Sequence, residues 1–121
     1  MAMQTNSRNE YPLVAALLDP YQAVLNKGAK DGIKLGQAFL IFSNGPEVKD
    51  PITGENLGPL ELVKGRGKVI HLQENLATLR SSETKGVYSP NPPMHTFSPQ
   101  PIRYEEQPFG DIRVGDFARP I

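Results

Sequence analysis

Cysteine is absent from this sequence of 121 residues, and its absence excludes several kinds of site. Without a thiol the chain has no disulfide, no thiolate nucleophile and no cysteine-ligated metal. Only two histidines occur, His71 and His95, and they form neither an HxH nor an HExxH motif. We interpret His71, in a predicted strand, as a structural residue, and we expect neither a bound metal nor a cofactor.

An excess of charge of either sign is also missing, since 13 basic residues balance 13 acidic ones. A neutral chain lacks the electrostatic footprint of a nucleic-acid or membrane-surface binder, and it has little self-repulsion to oppose association. The longest apolar run, residues 13–18, has six residues, far short of the ~20 that a membrane helix needs. We therefore expect no membrane span, no nucleic-acid partner and a cytoplasmic location. Export after removal of a signal peptide is the alternative that remains open.

Apolar residues are scarce as well, at 38% of the chain, whereas glycine and proline occur 11 and 12 times. This balance favours one small domain with a modest core framed by loops. Residues 1–10 are polar and predict a flexible N-terminal tail. Residues 11–121 predict a single β domain.

The chain is organised around a glycine-spaced turn followed by an apolar strand. Gly28, Gly32 and Gly36 break the turn into tight segments, because glycine reaches positive φ without a Cβ penalty. Residues 38–42 are then all apolar and end at a Ser-Asn-Gly-Pro sequence. That length and punctuation are typical of a buried strand rather than a helix.

Further strands follow from short alternating runs bounded by turn residues. Residues 13–26 predict a hairpin that turns at Asp-Pro, and residues 68–80 predict a second hairpin. Residues 60–63 predict a separate short strand, and residues 47–59 predict an extended loop or a long, twisted hairpin. Glycines at 65 and 67 predict a bend or bulge. The fold class expected is all-β: a small, partly open β-barrel of about six or seven short strands.

One turn pattern occurs twice. Residues 33–38 and 112–117 both read apolar, basic, apolar, glycine, polar and then strand. We interpret the two segments as equivalent turns, each sending an apolar residue into an open end of the barrel. Chance recurrence of a short turn pattern is the alternative.

Residues 81–108 differ in character from the rest of the chain. Prolines cluster here among polar residues, and proline removes strand hydrogen-bond donors and stiffens the backbone. This predicts a long proline-rich insertion rather than another pair of core strands. Its large side chains are the candidate partner-binding residues: Tyr88, Met94, Phe97 and Tyr104.

Residues 21–80 resemble a known family, the C-terminal domain of the flagellar assembly protein T and related uncharacterised bacterial proteins. The matching pieces are turn motifs: Val24-Leu25-Asn26-Lys27-Gly28, Asp31-Gly32-Ile33-Lys34-Leu35-Gly36, Asp50-Pro51-Ile52-Thr53-Gly54-Glu55-Asn56-Leu57-Gly58, Gly67-Lys68-Val69, Ala77-Thr78-Leu79 and the closing Ile112-Arg113-Val114-Gly115-Asp116. The resemblance implies a small β-barrel that docks onto other proteins in an assembly. It supplies no catalytic motif, so no functional residue is transferred from it.

An alternative function arises from Lys64, Arg66 and Lys68, which alternate along a predicted strand and share one face. Such a basic stripe is a candidate site for an anion, a nucleotide or single-stranded RNA. No nucleophile, metal cluster or phosphate-binding loop can be assembled from the sequence. We therefore expect a non-catalytic interaction or assembly module that binds a protein partner and self-associates as a homo-oligomer.

Overall fold

The computed structural model describes residues 11–87 and 103–121, and in these ranges it is an all-β protein. The only described helix is η1, a single 3-10 turn at Ala29–Asp31. No described helix has the length and apolar character needed to cross a membrane. The strands are β1 (Val14–Asp19), β2 (Gln22–Leu25), β3 (Ala38–Lys49), β4 (Asn56–Leu72), β5 (Ala77–Ser81), β6 (Thr84–Val87), β7 (Arg103–Glu106) and β8 (Phe117–Pro120).

Six strands form the main sheet, in the order β1-β2-β5-β4-β3-β8, and every neighbouring pair is antiparallel. Within the described residues no continuous ladder joins the two outer strands. A single isolated bridge between Leu13 and Phe117 links them instead. Beside it, the Val14 N–H donates to the Asp116 carbonyl at 2.8 Å, and the Ala118 N–H donates to the Pro12 carbonyl at 2.9 Å.

The two predicted hairpins are confirmed as β1–β2 and β4–β5, and the longer alternative for residues 47–59 is the observed one. The prediction of separate strands at 60–63 and 68–72 is wrong, because both belong to β4. The glycine-containing segment does not end the strand. It accommodates a bulge at Lys64, where Ile41 pairs with Gly65 and Phe42 pairs with Val63.

The core lies on one face of the main sheet, where side chains from β1, β2, β3, β4, β5 and β8 meet. Phe109 enters it from the chain between β7 and β8 and is 5% exposed. Its ring occupies space that two glycines of β4 leave empty. The buried cluster consists of Val14, Ala23, Leu25, Ile33, Phe39, Ile41, Val69, Ala77, Leu79, Phe109, Ile112 and Ala118.

The turns before β3 and β8 share one hydrogen-bond arrangement. In the first, the Gln37 N–H donates to the Lys34 carbonyl at 3.2 Å, and the Lys34 N–H donates to Gln37 Oε1 at 3.1 Å. In the second, the Asp116 N–H donates to the Arg113 carbonyl at 3.0 Å, and the Arg113 N–H donates to Asp116 Oδ2 at 2.7 Å. A polar side chain therefore closes each turn in the same way.

Both turns also dock on a neighbouring strand in the same way. Gly36 and Gly115 adopt φ values of 80° and 98°, which a residue with a side chain rarely adopts. The Gly36 N–H donates to the Val69 carbonyl at 2.9 Å, and the Gly115 N–H donates to the Val14 carbonyl at 2.8 Å. The predicted equivalence of the two turns is confirmed.

Each turn buries one apolar residue and exposes another. Ile33 and Ile112 are 6% and 9% exposed and join the core, whereas Leu35 and Val114 are each 64% exposed. Because β3 and β8 run antiparallel, the turns that precede them lie at opposite ends of the sheet. One isoleucine therefore covers each end of the core.

The predicted insertion begins and ends in a separate two-stranded ribbon, β6–β7, in which Val87 pairs with Arg103. The sequence predicts an extended segment here, whereas the structure describes two paired strands within it, and residues 88–102 of the predicted insertion lie outside the described residues. Arg80 of β5 binds Glu106 of β7 at 2.6 Å and lies over the Tyr21 ring at 5.8 Å. The ribbon is thereby fastened to the main sheet.

Candidate functional site

The β3–β4 hairpin extends beyond the other strands of the main sheet. Strand β8 pairs with β3 only as far as Phe42, and β5 pairs with β4 only from Gly67 onward. Residues 43–49 and 56–63 therefore pair only with each other. We call this projecting part of the hairpin, residues 43–63, the arm.

The tip of the arm is closed by a turn that its sequence explains. Asp50 Oδ1 accepts the Ile52 N–H at 2.8 Å, and the Asp50 N–H donates to the Glu55 carbonyl at 2.8 Å. Gly54 supplies the positive φ, at 76°. This capped turn sets the register of the two arm strands and holds them together at their free end.

One face of the arm continues the core-facing side of β3. Alternation along the strand places Ser43 on the same side as buried Ile41, and Ser43 pairs with Leu62. Leu60 lies two residues before Leu62 and therefore shares this side. Gly58, which is two residues earlier, pairs with Val48. We call this the core-side face of the arm: Ser43, Gly45, Val48, Gly58, Leu60 and Leu62.

Large side chains on the core-side face are exposed. Leu60, Leu62 and Val48 are 49%, 43% and 38% exposed, in contrast to the fully buried Ile41 on the same side of β3. Gly45 lies directly under Leu62, since an added Cβ would be 3.0 Å from Leu62 Cγ. The face bears no charged side chain. The alternation that buries side chains in the core continues into the arm. The arm extends beyond the ends of β5 and β8, so the same side of the hairpin is exposed there.

The opposite face of the arm is fixed to β8. Arg119 donates from Nη2 to Glu61 Oε1 at 3.0 Å and from Nε to Oε2 at 3.1 Å. This hydrogen bonding to Glu61 raises the pKa of Arg119. Nearby, the Phe42 ring stacks on Phe117 at 5.5 Å and meets Tyr11 edge-on at 6.2 Å. The root of the arm is therefore held by specific contacts, and within residues 11–87 and 103–121 these contacts leave the core-side face open.

Two members of the predicted basic stripe are engaged with carboxylates. Lys64 Nζ lies 3.0 Å from Asp116 Oδ2, with 19% of the lysine side chain exposed. Arg66 Nη1 lies 3.5 Å from Glu83 Oε1. Lys68 is exposed on β4. The structure thus places the three cations on one strand, and two of them contribute to fastening the fold.

Of the predicted partner-binding residues, only Tyr104 falls within the described part of the chain. It lies on β7 opposite Gly86 and is 68% exposed. Tyr88, Met94 and Phe97 lie outside the described residues. The core-side face of the arm was not among the sequence predictions, because residues 60–63 predict a short strand without indicating which of its faces is exposed.

Residues 11–87 and 103–121 contain no group of three or more histidine, aspartate or glutamate side chains placed to hold a metal ion. An open cavity of about 330 Å³ adjoins the first turn, lined by Tyr11, Lys27, Asp31, Phe39 and their neighbours. These lining residues contain no nucleophile paired with a base, the arrangement that covalent catalysis needs.

Comparisons with known proteins add no functional assignment. No protein-family model matches the chain, and no curated protein matches it significantly. The resemblance to the flagellar assembly domain therefore stays a prediction from turn motifs.

Proposed function

We propose that this chain is a partly open β-barrel that serves as a non-catalytic assembly module, docking on protein partners through the core-side face of its arm. The single observation that carries the proposal is the exposure of Leu60, Leu62 and Val48 on one uncharged face. Exposed apolar patches that are rimmed by polar residues mark interaction sites in soluble proteins. Asp50 and Glu55 supply polar side chains at the tip, which also bears the exposed Ile52.

The barrel part of the proposal is supported by contacts between the outer strands. The Leu13–Phe117 bridge and the two hydrogen bonds beside it bring the ends of β1 and β8 together. The twist between neighbouring strands accumulates across a sheet and gives barrels their curved shape. Ile33 and Ile112 then act as plugs at the two ends, as the repeated turn predicts.

The geometry of the arm suits docking because little reorganisation is needed. Its strands pair from Ser43–Leu62 to Lys49–Asn56 with two irregularities of register, its tip is capped by Asp50, and its root is tied by the Glu61–Arg119 pair. A rigid apolar surface loses less conformational entropy on binding than a flexible loop does. Most of the free energy released by burying the exposed leucines is therefore available for binding.

Tyr104 and the insertion are a second contact region in this proposal. An exposed tyrosine on a paired strand gives a large contact area with few rotatable bonds, and it has a hydroxyl that remains hydrogen-bonded at an interface. Arg80 and Glu106 hold its ribbon in place. We expect Tyr104 to add to binding rather than to determine it.

The test is photo-crosslinking along the arm in cells that naturally express the chain. A photoreactive amino acid is placed in turn at positions 60 and 62 on the core-side face, and at 61 and 63 on the opposite face. We expect protein adducts from positions 60 and 62 and several-fold fewer from 61 and 63. A difference in adduct yield between alternate positions distinguishes docking by one face from nonspecific contact with neighbouring proteins.

A variant with the photoreactive group at position 17 is the matched control, since Leu17 is 45% exposed but lies on β1 rather than on the arm. Equal adduct yields at 17, 60 and 62 would contradict the proposal. So would the absence of protein adducts from both positions on the core-side face.

A further inference from the structure

We infer that the partner of the arm is a second copy of this chain, whose own core-side face packs on the first about a two-fold axis that passes near Leu60. The inference rests on the proposed function, because it names what covers the face proposed there. A two-fold contact uses the same surface on both copies, so the surface must be complementary to itself.

The core-side face meets that requirement by its order of large and small residues. Gly58, Leu60 and Leu62 occupy successive positions on the face. When the two-fold axis passes Leu60 and the two β4 strands run antiparallel, Leu60 of one copy contacts Leu60 of the other. Leu62 of each copy then lies opposite Gly58 of the other copy. Among the residues that the structure describes, nothing lies within 4 Å of the position where a Cβ of Gly58 would be. The space above this glycine can therefore take the leucine of the second copy.

Charge presents no obstacle to this pairing. The core-side face has no ionisable side chain, so bringing two such faces together desolvates no charge. The whole chain is neutral as well, with 13 basic and 13 acidic residues, so two copies do not repel one another over long range. Glu61 lies on the opposite face and keeps its Arg119 partner.

The size of the face sets how tight the dimer is. Three partly exposed aliphatic side chains on each copy provide much less than the ~1,200–2,000 Å² of a standard stable interface. We therefore expect a weak dimer, since an interface this small leaves little free energy beyond the cost of association. Association is then set by the local concentration of the chain.

The test uses the absence of native cysteine. Leu60→Cys gives each copy one thiol near the axis, and diamide oxidises two neighbouring thiols to a disulfide. Leu17→Cys is the matched control, because Leu17 and Leu60 are 45% and 49% exposed. At 100 μM protein we expect Leu60→Cys to form covalent dimer at least tenfold faster than Leu17→Cys, and urea at unfolding concentration to remove the difference.

Sedimentation velocity gives a second readout without a new covalent bond. The wild-type chain is expected to shift from monomer toward dimer as its concentration is raised from about 10 μM to about 1 mM, as a weak interface requires. Leu62→Ser is expected to stay monomeric over the whole range. We expect this variant to keep the fold, because Leu62 is 43% exposed and is not part of the buried core cluster.

The inference is overturned if the wild type stays monomeric up to 1 mM, or if Leu60→Cys links no faster than Leu17→Cys. The proposed function has a separate outcome. Photo-adducts from positions 60 and 62 that contain only other proteins would uphold docking by the arm while rejecting the second copy as its partner. Adducts that contain two copies of this chain support both.

Discussion

The ring of Phe109 lies in the place that a side chain on Gly65 would need, with its Cδ1 2.8 Å from the position of an added Cβ. Gly67, two residues further along the same strand, leaves room for the other end of the ring, 3.0 Å from Phe109 Cζ. The Phe109 ring therefore fills the space that the two glycines of β4 leave for lack of side chains. The pairing joins the chain before β8 to the middle of the main sheet.

Replacing Gly65 with alanine is expected to destabilise the fold by about 1–3 kcal/mol, because the new methyl group collides with a packed ring. Phe109→Leu alone is expected to cost about 1–3 kcal/mol through lost packing. The double variant is expected to be more stable than the sum of the two costs predicts, since the shorter side chain relieves the collision. Urea unfolding of the four proteins measures this coupling, and strict additivity would show that the two residues do not compete for space.

The two plug residues are expected to contribute equally. Ile33→Ala and Ile112→Ala each remove a buried side chain from an end of the core and are expected to cost about 2–4 kcal/mol. Leu35→Ala and Val114→Ala, in the same turns but exposed, are expected to change stability by less than about 0.5 kcal/mol. Thermal and urea unfolding distinguish the pairs. A large cost in only one of the isoleucine variants would contradict the equivalence of the turns.

The polar residues that close the turns differ in what they hold. Asp116 Oδ2 accepts both the Arg113 N–H and Lys64 Nζ, whereas the Gln37 side chain accepts only the Lys34 N–H. Asp116→Ala is therefore expected to cost about 2–4 kcal/mol, since it also leaves a mostly buried ammonium without its partner. Gln37→Ala is expected to cost about 1 kcal/mol. Unfolding in urea checks the order, and adding Lys64→Met should recover part of the Asp116→Ala loss.

The β6–β7 ribbon is expected to open without unfolding the main sheet. Arg80→Met removes the ion pair to Glu106 and the contact with Tyr21. Amide hydrogen exchange in residues 84–87 and 103–106 should then accelerate, while exchange in β3 and β4 keeps its wild-type rate. Acceleration throughout the main sheet would show instead that the ribbon is part of the global folding unit.

The contribution of the insertion to stability and to partner binding can be tested by replacing it with a short turn. Val87 and Arg103 are direct ladder partners, so replacing residues 88–102 with Asn-Gly supplies a two-residue hairpin turn at that point. We expect the melting temperature to change by only a few degrees. A loss of photo-adducts from position 60 in this variant would show that residues 88–102 contribute to partner binding, and unchanged yields would assign binding to the arm alone.

Much of the strand pattern could be predicted because it is determined locally. The Asp19-Pro20 turn, the alternation in β2 and β5 and the repeated glycine turns are all signals within a few residues. The equivalence of the two turns could be found for the same reason, since Gln37 and Asp116 occupy the same position in each copy of the pattern. Strand order and the Leu13–Phe117 bridge depend on distant residues and were not predictable in detail.

The features missed by sequence reasoning depend on what lies opposite each residue. Gly65 and Gly67 signalled a bend, but the space that they leave for a ring becomes apparent only with Phe109 in place. Leu60 and Leu62 alternate as in a strand with one buried face. This pattern does not show that β5 and β8 end before they reach these residues. The candidate interface arises from this mismatch of strand lengths, which is a tertiary property.

The most direct measurement of the central claim is hydroxyl-radical footprinting of the arm, comparing cells that naturally express the chain with purified protein at about 1 μM. If the core-side face is a docking surface, Leu60 and Leu62 are labelled several-fold less in cells, while Leu17 and Leu18 on β1 are labelled equally in both. Equal labelling of Leu60 and Leu62 in the two samples would mean that nothing covers the arm, and the account of this chain as an assembly module would be wrong.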